Sequence, residues 1–279
     1  MRLITWNIQW GLGIDGRLDL PRIVAHARAM ADFDVLCLQE VADNFPGLKG
    51  GAAGNQFAEL AALLPGFVAV EGIAVDVPDD SGGRRRFGNM ILSRYPVGRV
   101  LRHGLPWIAD GKRSMPRLLL DAVVQAPWGP VRAMTTHLEY YSARQREVQV
   151  EAIRRVLDES RARHGQGAIA GAGVFAPLPE SGSVVLIGDF NMVADDPTLV
   201  RLLAPGEDGA PGLVDAWQAL HPDEAHPFSF CLYDQHYKQP HCCDFVLLTP
   251  DLRPRLRRVV YDTGTQLSDH QPVLVELED

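Results

Sequence analysis

The chain has 279 residues, of which 46% are hydrophobic and 22% charged, and its formal net charge is −8. These values exclude a wholly disordered, fibrous or coiled-coil protein, and no apolar run approaches the ~18 residues that a membrane-spanning helix needs. The acidic balance argues mildly against tight, non-specific binding to nucleic acid, which usually requires a basic excess or a basic stripe. Only the run Arg84 to Arg86 and the spaced arginines from Arg253 to Arg258 come close to such a stripe.

Short apolar or alternating runs predict ten strands along the chain. They cover residues 2–10, 34–39, 67–75, 88–94, 117–125, 131–137, 184–188, 244–249, 256–261 and 272–277. Helical periodicity, with capping residues, predicts helices over 20–31, 55–64 and 142–163 and a short one that Asp196-Pro197 opens. Because strands outnumber helices and do not alternate strictly with them, we expect an α/β (α+β) fold, a mixed-sheet sandwich with helices outside.

Two stretches have the composition of loops: 79–86 (DDSGGRRR) and the Gly/Ala/Pro-rich 165–183. Neither separates compositionally distinct halves, so we expect a single domain over residues 1–279. The beginning of the chain, MRLITWNIQW, reads as a strand and carries no export signal. We therefore expect a cytoplasmic protein with no stable membrane insertion. The sequence does not identify a protein partner.

The four cysteines are too few for a disulfide-stapled scaffold. Cys37 lies inside the apolar run VLCLQ and is predicted to be a small core residue. The cluster His241-Cys242-Cys243 has no accompanying C-x-x-C pair, so a zinc site is not favoured there.

Polar side chains interrupt or end several of the predicted strands. Buried carboxylates and amides are costly unless they are paired or bind a metal. Each of these residues has an ordinary explanation when taken alone, such as a strand-end carboxylate facing water or a turn-forming Asp or Asn. One shared site explains all of them better than separate accidents do. The positions are Asn7, Glu40, His137, Asp189 with Asn191, Asp244, and Asp269 with His270.

The motifs around these residues resemble those of the endonuclease/exonuclease/phosphatase superfamily of metal-dependent phosphoesterases. TWN lies near the start, LQE follows at residues 38–40, and GDFN at 188–191 precedes SDH at 268–270 by about 80 residues. GNMILSRYPV, THLEYYSARQREVQ and LVDAW are also similar to segments of its bacterial members. The resemblance covers nearly the whole chain. It implies a four-layer sandwich of two packed mixed β-sheets with helices on both outer faces.

The resemblance also implies a role for each polar position. Glu40 would be the main metal ligand, and Asn7 and Asp269 would complete or support the metal site. These hard oxygen donors suit Mg²⁺ or Mn²⁺ better than zinc. The remaining residues would act on the phosphate: Asp189 would orient and deprotonate the attacking water, Asn191 would hold a phosphate oxygen, His137 and His270 would donate hydrogen bonds to non-bridging oxygens, and Asp244 would hold and charge His270.

Candidates for substrate contacts lie close to His137 or in the preceding loop. They are Arg113, Arg117, Arg144, Tyr140 and Tyr141, although a solvated arginine at a helix start is the commoner case. The stretch CCDFVLL departs from the family pattern, because Cys242 and Cys243 stand before Asp244 where a basic or apolar residue is usual.

The predicted activity is Mg²⁺-dependent hydrolysis of a phosphodiester by in-line attack of a water that Asp189 activates. Its substrate would be a phosphoester. The loops rather than the core site select which one, so the core residues do not identify it. Nucleic acid is the leading version. Two alternatives stay open. The first is a small-molecule or lipid phosphodiesterase or phosphatase; a version similar to the sphingomyelinases would use apolar loop residues such as Phe175 of this chain. The second is an inactive binding module on the same fold.

Overall fold

The computed structural model of the protein describes residues 1–167, 170–206, 209–234 and 239–278. The strands are β1 (Arg2–Asn7), β2 (Val35–Phe45), β3 (Ala52–Asn55), β4 (Val68–Pro78), β5 (Arg84–Ser93), β6 (Val97–Gly104), β7 (Leu118–Ala126), β8 (Gly129–His137), β9 (Val184–Asp189), β10 (Val214–Asp215), β11 (Asp244–Leu248), β12 (Leu256–Tyr261) and β13 (Val273–Leu277). The helices are α1 (Leu20–Met30), α2 (Gln56–Leu63), α3 (Ala143–Gln166), α4 (Pro197–Leu203) and α5 (Ala216–Leu220).

All ten predicted strands and all four predicted helices are confirmed, with shifts at their ends. The first strand ends at Asn7 rather than at residue 10, because Gln9 and Trp10 both adopt φ 45° and start a short 3₁₀ turn. The predicted loop over 79–86 is too long by three residues. Arg84 already belongs to β5, since the Asp79 carboxylate accepts hydrogen bonds from the N–H groups of Ser81 and Gly83 and closes the turn.

Three strands were not predicted from the pattern. β3 and β10 are only four and two residues long, and β6 (VGRVLRHG) contains two glycines and three basic residues. β6 lies at the edge of its sheet, where one side is unpaired and the alternation of apolar residues is weak. The predicted loop 165–183 begins only after α3 ends at Gln166, and its residues 168 and 169 lie outside the described part of the chain.

Two mixed sheets form the centre of the protein. The first has the order β12-β13-β1-β2-β5-β4, with β3 paired to β2, and the second has the order β10-β11-β9-β8-β7-β6. β1 and β2 run parallel at the centre of the first sheet, as do β8 and β9 in the second. The last residues of β1, β8 and β9 are Asn7, His137 and Asp189, three of the polar residues that the sequence singled out.

The two sheets pack face to face, and helices cover both outer faces. In β1, Leu3 points into the core between the sheets, whereas Ile4 and Trp6 pack outward under α1 and α2. Residues of α3 and α4, such as Ile153 and Leu199, pack on the second sheet. Strands that are apolar on both faces are what a layered α/β protein requires. The predicted four-layer α/β sandwich is confirmed, and the single domain over 1–279 stays a prediction.

Cys37 is fully buried between the sheets, as expected for a core residue, and all four cysteines are free. Within the described residues, no helix combines the length and the apolar character needed to cross a bilayer.

Candidate active site

The strand order brings the predicted site residues to one end of the sandwich. Asn7 ends β1 beside Gln39 of β2, and His137 ends β8 beside Asp189, which ends β9. Asp244 begins the antiparallel β11 directly opposite Asp189. Carboxyl ends of parallel strands meet at the same edge of a sheet, so these side chains converge where the two sheets face each other.

Glu40 reaches this point through a break in the regular pairing of β2. The register between β2 and β5 shifts between Leu38 and Val41, and Glu40 adopts φ 61°. A non-glycine residue in the left-handed region costs about 1–2 kcal/mol, and such strain concentrates at functional sites. The backbone of β2 therefore stores strain where it presents the predicted metal ligand.

Asn7 joins the two carboxylates of the site as a donor. Its Nδ2 lies 3.1 Å from Glu40 Oε1 and 3.0 Å from Asp189 Oδ2. Its Oδ1 accepts a hydrogen bond from the Gln9 N–H at 3.1 Å, which fixes the orientation of the amide. Of the two predicted roles for Asn7, this arrangement favours support of Glu40 rather than direct ligation of a metal, because its oxygen is turned away.

The segment GDFN shapes the centre of the site. Gly188 has φ 145°, and a Cβ there would lie 2.1 Å from the carbonyl oxygen of Thr136, so only glycine lets β9 pass this close to β8. Asp189 Oδ1 accepts the Asn191 N–H at 2.9 Å and closes a tight turn with Asn191 at φ 52°. The Asn191 amide donates one hydrogen to the Leu138 carbonyl, and its second hydrogen can reach a ligand.

His270 is held by Asp244, whose Oδ2 lies 2.9 Å from His270 Nδ1. Both side chains are almost completely buried. Burial favours the neutral imidazole, but the carboxylates of Asp244 and Asp189 outweigh it and raise the pKa of His270 to about 10. His270 is thus a buried cation at neutral pH, with Nε2 3.6 Å from Asp189 Oδ2.

His137 lies on the other side of Asp189, with Nε2 3.4 Å from Asp189 Oδ2 and 3.9 Å from Glu40 Oε1. Burial, together with the nearby charge of Arg117, lowers the pKa of His137 to about 3. Although burial opposes ionisation of Asp189, the charge of His270 and the hydrogen bonds from Asn7 and the Asn191 N–H hold its pKa below the ordinary value. The site therefore combines an ionised carboxylate with one charged and one neutral imidazole.

The oxygen donors at the site fit a hard divalent cation. Burial and the charge of Asp269 raise the pKa of Glu40 to about 7, and burial also raises the pKa of Asp269. Gln9 Nε2 donates to Asp269 Oδ2 at 2.8 Å and holds that carboxylate toward the site. Two half-buried carboxylates that disfavour each other's charge form a donor set that Mg²⁺ or Mn²⁺ would satisfy.

Cys243 lies beside His270 and Asp189, and these three residues are close enough to share an ion. However, His270 Nδ1 is already bonded to Asp244, and burial raises the pKa of the Cys243 thiol well above its usual value. A protonated thiol and an occupied imidazole nitrogen are poor ligands. In the cluster His241-Cys242-Cys243, the Nδ1 atom of His241 forms a hydrogen bond with the backbone carbonyl of Gln239.

A cleft of about 540 Å³ opens over the site, and six of the predicted site residues line it: Glu40, His137, Asp189, Asn191, Asp269 and His270. Its walls include Trp10 and Phe230 and four of the predicted substrate contacts: Arg113, Arg117, Tyr140 and Tyr141. Arg113 stacks over the Tyr141 ring with its guanidinium carbon 5.7 Å from the ring centre, and both side chains are exposed.

The prediction that Arg144 contacts the substrate stays a prediction. It does not line the cleft among the described residues, and it is exposed in the first turn of α3 beside Asp110. An exposed position is the commoner case for an arginine at a helix start.

Three supporting residues were not predicted from the sequence. Gln9 holds Asp269, and Glu139, fully buried, faces Arg117. Ser229 is also fully buried: its hydroxyl donates to Asp244 Oδ2 at 2.7 Å and accepts the N–H groups of Cys243 and Asp244. A lone Ser or Gln carries no sequence signal. Only the LEYY segment next to His137 hinted at Glu139.

Replacing Ser229 with Ala is expected to lower the free energy of unfolding by about 1–3 kcal/mol, because two backbone N–H groups and Asp244 lose a buried partner. Urea denaturation would measure the loss. Ser183→Ala is the matched control, since that hydroxyl donates to the exposed Asp251 carboxylate. Equal stability of the two variants would contradict the assigned role of Ser229.

Comparisons with known proteins agree with this geometry. The model of the Endonuclease/Exonuclease/phosphatase family matches residues 4–270. No curated protein matches the chain significantly. A solved endonuclease/exonuclease/phosphatase from Beutenbergia cavernae is 25% identical, with a TM-score of 0.66, covering 100% of this chain and 72% of that one.

Two further solved structures share the fold. A mannosyl-6-phosphatase from Bacteroides thetaiotaomicron is 18% identical with a TM-score of 0.65, and each chain is fully covered. A humanized D. rerio TDP2 is 20% identical with a TM-score of 0.62, covering 100% of this chain and 99% of that one. Since the family match spans nearly the whole chain and the fold is shared, the resemblance expected from the motifs is confirmed: the chain belongs to the endonuclease/exonuclease/phosphatase family.

Proposed function

We propose that this protein is a Mg²⁺- or Mn²⁺-dependent phosphoesterase that cleaves its substrate by in-line attack of water. The observation that carries the proposal is the pairing, at the base of one cleft, of the ionised Asp189 with the cationic His270, which Asp244 holds. A carboxylate that accepts a proton, next to a fixed positive charge, is what phosphoryl transfer to water requires.

Each residue has a defined task in this mechanism. Asp189 orients the water and accepts its proton, while His270 and His137 donate to non-bridging oxygens as negative charge develops. The second amide hydrogen of Asn191 reaches a phosphate oxygen. Glu40 and Asp269 would hold the metal ion, with Asn7 as their support, and the bound cation would polarise the phosphate and stabilise the leaving oxygen.

Features of the cleft wall favour a nucleotide-containing substrate. Tyr140 and Tyr141 are exposed and lie edge to face, with ring centres 4.8 Å apart, and Arg113 covers one of them. Aromatic side chains and stacked arginines beside a phosphate site bind nucleobases regardless of sequence. We keep a nuclease-like phosphodiesterase as the leading version of the proposal.

Another observation favours a small phosphoester as the second candidate. The basic run of β5 is neutralised: Arg84 pairs with Asp76, Arg85 with Asp80, and Arg86 with Asp43. In the second basic cluster, Arg257 pairs with Glu278 at 2.6 Å. Paired arginines do not form the free basic stripe that tracks a long phosphate backbone.

A lipid substrate has less support. The exposed apolar side chains of Val174, Phe175 and Leu178 belong to the loop that precedes β9. They lie near the amino end of that strand, whereas Asp189 lies at its carboxyl end. A membrane bound by this loop would therefore face the end of the sandwich opposite to the cleft.

The activity would be tested on purified protein with Mg²⁺, Mn²⁺ or EDTA. The substrates are single- and double-stranded DNA, abasic DNA, RNA, bis(p-nitrophenyl) phosphate, p-nitrophenyl phosphate and sphingomyelin. We expect metal-dependent cleavage that EDTA abolishes, and the substrate that is cleaved separates the candidates. Metal binding without turnover on any substrate would overturn the proposal and favour an inactive binding module. The cytoplasmic location stays a prediction.

Replacing Glu40 with Gln is expected to weaken binding of Mg²⁺ or Mn²⁺ at least ~10-fold, because a charged oxygen donor is lost. Calorimetric titration with the metal alone measures this without reference to turnover. Glu59→Gln, at an exposed position on α2, is the control. Unchanged affinity in Glu40→Gln would mean that the metal binds elsewhere.

A further inference from the structure

Arg117 is a buried cation in the wall of the cleft that the mechanism above does not use. It immediately precedes β7, and its carbonyl accepts the Leu105 N–H at 2.9 Å. The residue is only 6% exposed, yet it lines the cleft together with His137 and Asp189. Its charge contributes to lowering the pKa of His137, so the guanidinium lies close to the proposed reaction centre.

The guanidinium has fewer partners than a buried arginine normally has. Its Nε lies 3.5 Å from Glu139 Oε2, while Glu139 Oε1 accepts the Tyr141 N–H at 2.9 Å. Nη1 is buried and has no hydrogen-bond partner among the residues that the structure describes. An unsatisfied buried donor is costly, and native proteins rarely keep one without a reason.

The charges around Arg117 indicate why the protein keeps this unpartnered Nη1 group. Glu139, Asp189 and Glu40 are the carboxylates that act on it, and burial lowers its pKa despite them. Glu139 contacts the Nε edge of the guanidinium, and Nη1 is left without a partner among the described residues of this cleft wall. A fixed planar arginine with free N–H groups matches the oxygens of a phosphate.

We propose that Arg117 binds a non-bridging oxygen of the scissile phosphate through its Nη1 N–H groups, with Glu139 holding the guanidinium in place. This inference rests on the proposed function, since it assigns a substrate ligand within the same cleft. The competing explanation is that Arg117 only neutralises the buried Glu139.

Binding of inorganic phosphate in the presence of Mg²⁺, followed by calorimetry, tests the proposal without any need for turnover. Arg117→Met is expected to weaken phosphate binding roughly 10- to 100-fold, the usual cost of losing a hydrogen bond to a charged group. Arg28→Met, an exposed arginine on α1, should bind phosphate as the unmodified protein does. Unchanged phosphate affinity in Arg117→Met would overturn the proposal.

The double variant Arg117→Met/Glu139→Gln separates the two explanations. If Arg117 binds phosphate, the double variant binds inorganic phosphate as weakly as Arg117→Met does. If it only neutralises Glu139, removal of both charges restores the affinity, and the proposal is wrong. Should Arg117→Met not fold, Arg117→Lys decides: it keeps the charge but not the planar fork, so a loss of several-fold is expected and full affinity contradicts the proposal.

These measurements also distinguish failure of this inference from failure of the proposed function. Loss of phosphate binding in Arg117→Met, in a protein that hydrolyses nothing in the substrate panel, would support a phosphate site without catalysis. Metal-dependent hydrolysis together with normal phosphate binding in Arg117→Met would keep the proposed function and reject the role of Arg117.

Discussion

Replacing Asp189 with Asn is expected to lower turnover of any substrate that the protein hydrolyses by about 10²- to 10⁴-fold, the range that a general base contributes. Asn has the same shape and can keep the hydrogen bond from the Asn191 N–H, but it cannot accept a proton from water. It also removes the negative charge that faces His270 Nε2 at 3.6 Å. Initial rates at saturating substrate and metal measure the effect.

The fold and the metal site should survive this change, because His270 keeps Asp244 as its carboxylate partner and Glu40 and Asp269 stay in place. We expect the melting temperature to change by a few degrees at most and Mg²⁺ binding to stay within a few-fold. Asp195→Asn, in the exposed turn before α4, is the matched control. Turnover of the Asp189 variant within tenfold of the unmodified protein would rule out Asp189 as the base.

Replacing Asp121 with Ala is expected to lower the free energy of unfolding by about 3–5 kcal/mol. Asp121 is fully buried in β7, and its carboxylate accepts hydrogen bonds from Arg132 at 2.7 Å and from Arg99 at 3.1 Å. Both arginines are also buried, so the variant leaves two positive charges without their shared partner. Urea denaturation measures the loss, and Asp80→Ala, a fully exposed aspartate, is the control.

The same cluster predicts a dependence of stability on pH. Burial opposes ionisation, but His103 Nε2 at 3.6 Å, the hydrogen bonds from Arg132 and the nearby arginine charges outweigh it and lower the pKa of Asp121 from 3.8 to about 2. A carboxyl group whose pKa is depressed in the folded protein contributes stability that is fully present above its pKa in the unfolded chain. This stability is lost as the pH falls through its pKa in the folded protein. The difference in stability between the Asp121 variant and the unmodified protein should therefore shrink between about pH 4 and pH 2. A difference that does not depend on pH in this window would contradict the assignment.

Apolar substitution of the whole cluster provides a further check. A buried ion pair can often be exchanged for packed hydrophobic residues without loss. Asp121→Leu combined with Arg99→Met and Arg132→Met should therefore recover much of the stability that Asp121→Ala loses. If Asp121→Ala and the triple variant lost the same amount of stability, packing rather than charge would make the site sensitive to substitution.

The sequence by itself determined ten of the thirteen described strands, four of the five described α-helices and the positions of the polar residues at strand ends. These features are local: short apolar runs fix β1, β8 and β9, and a Ser142 cap fixes the start of α3. The GDFN and SDH motifs are local features as well. The turn after Asp189 depends on residues that are close in the chain. The family could be inferred from these motifs, and the four-layer fold followed from the family.

Only the tertiary structure decided which partner each polar group finds. Asn7 donates to Asp189 across 182 positions of the chain, and the Gln9 N–H sets the direction of that amide. Arg144 and Arg117 looked alike in the sequence, yet one is exposed on a helix and the other is buried in the cleft against Glu139. Such outcomes depend on contacts between distant segments, which periodicity cannot report. The strength of a buried charge or hydrogen bond is set by the groups that folding places around it.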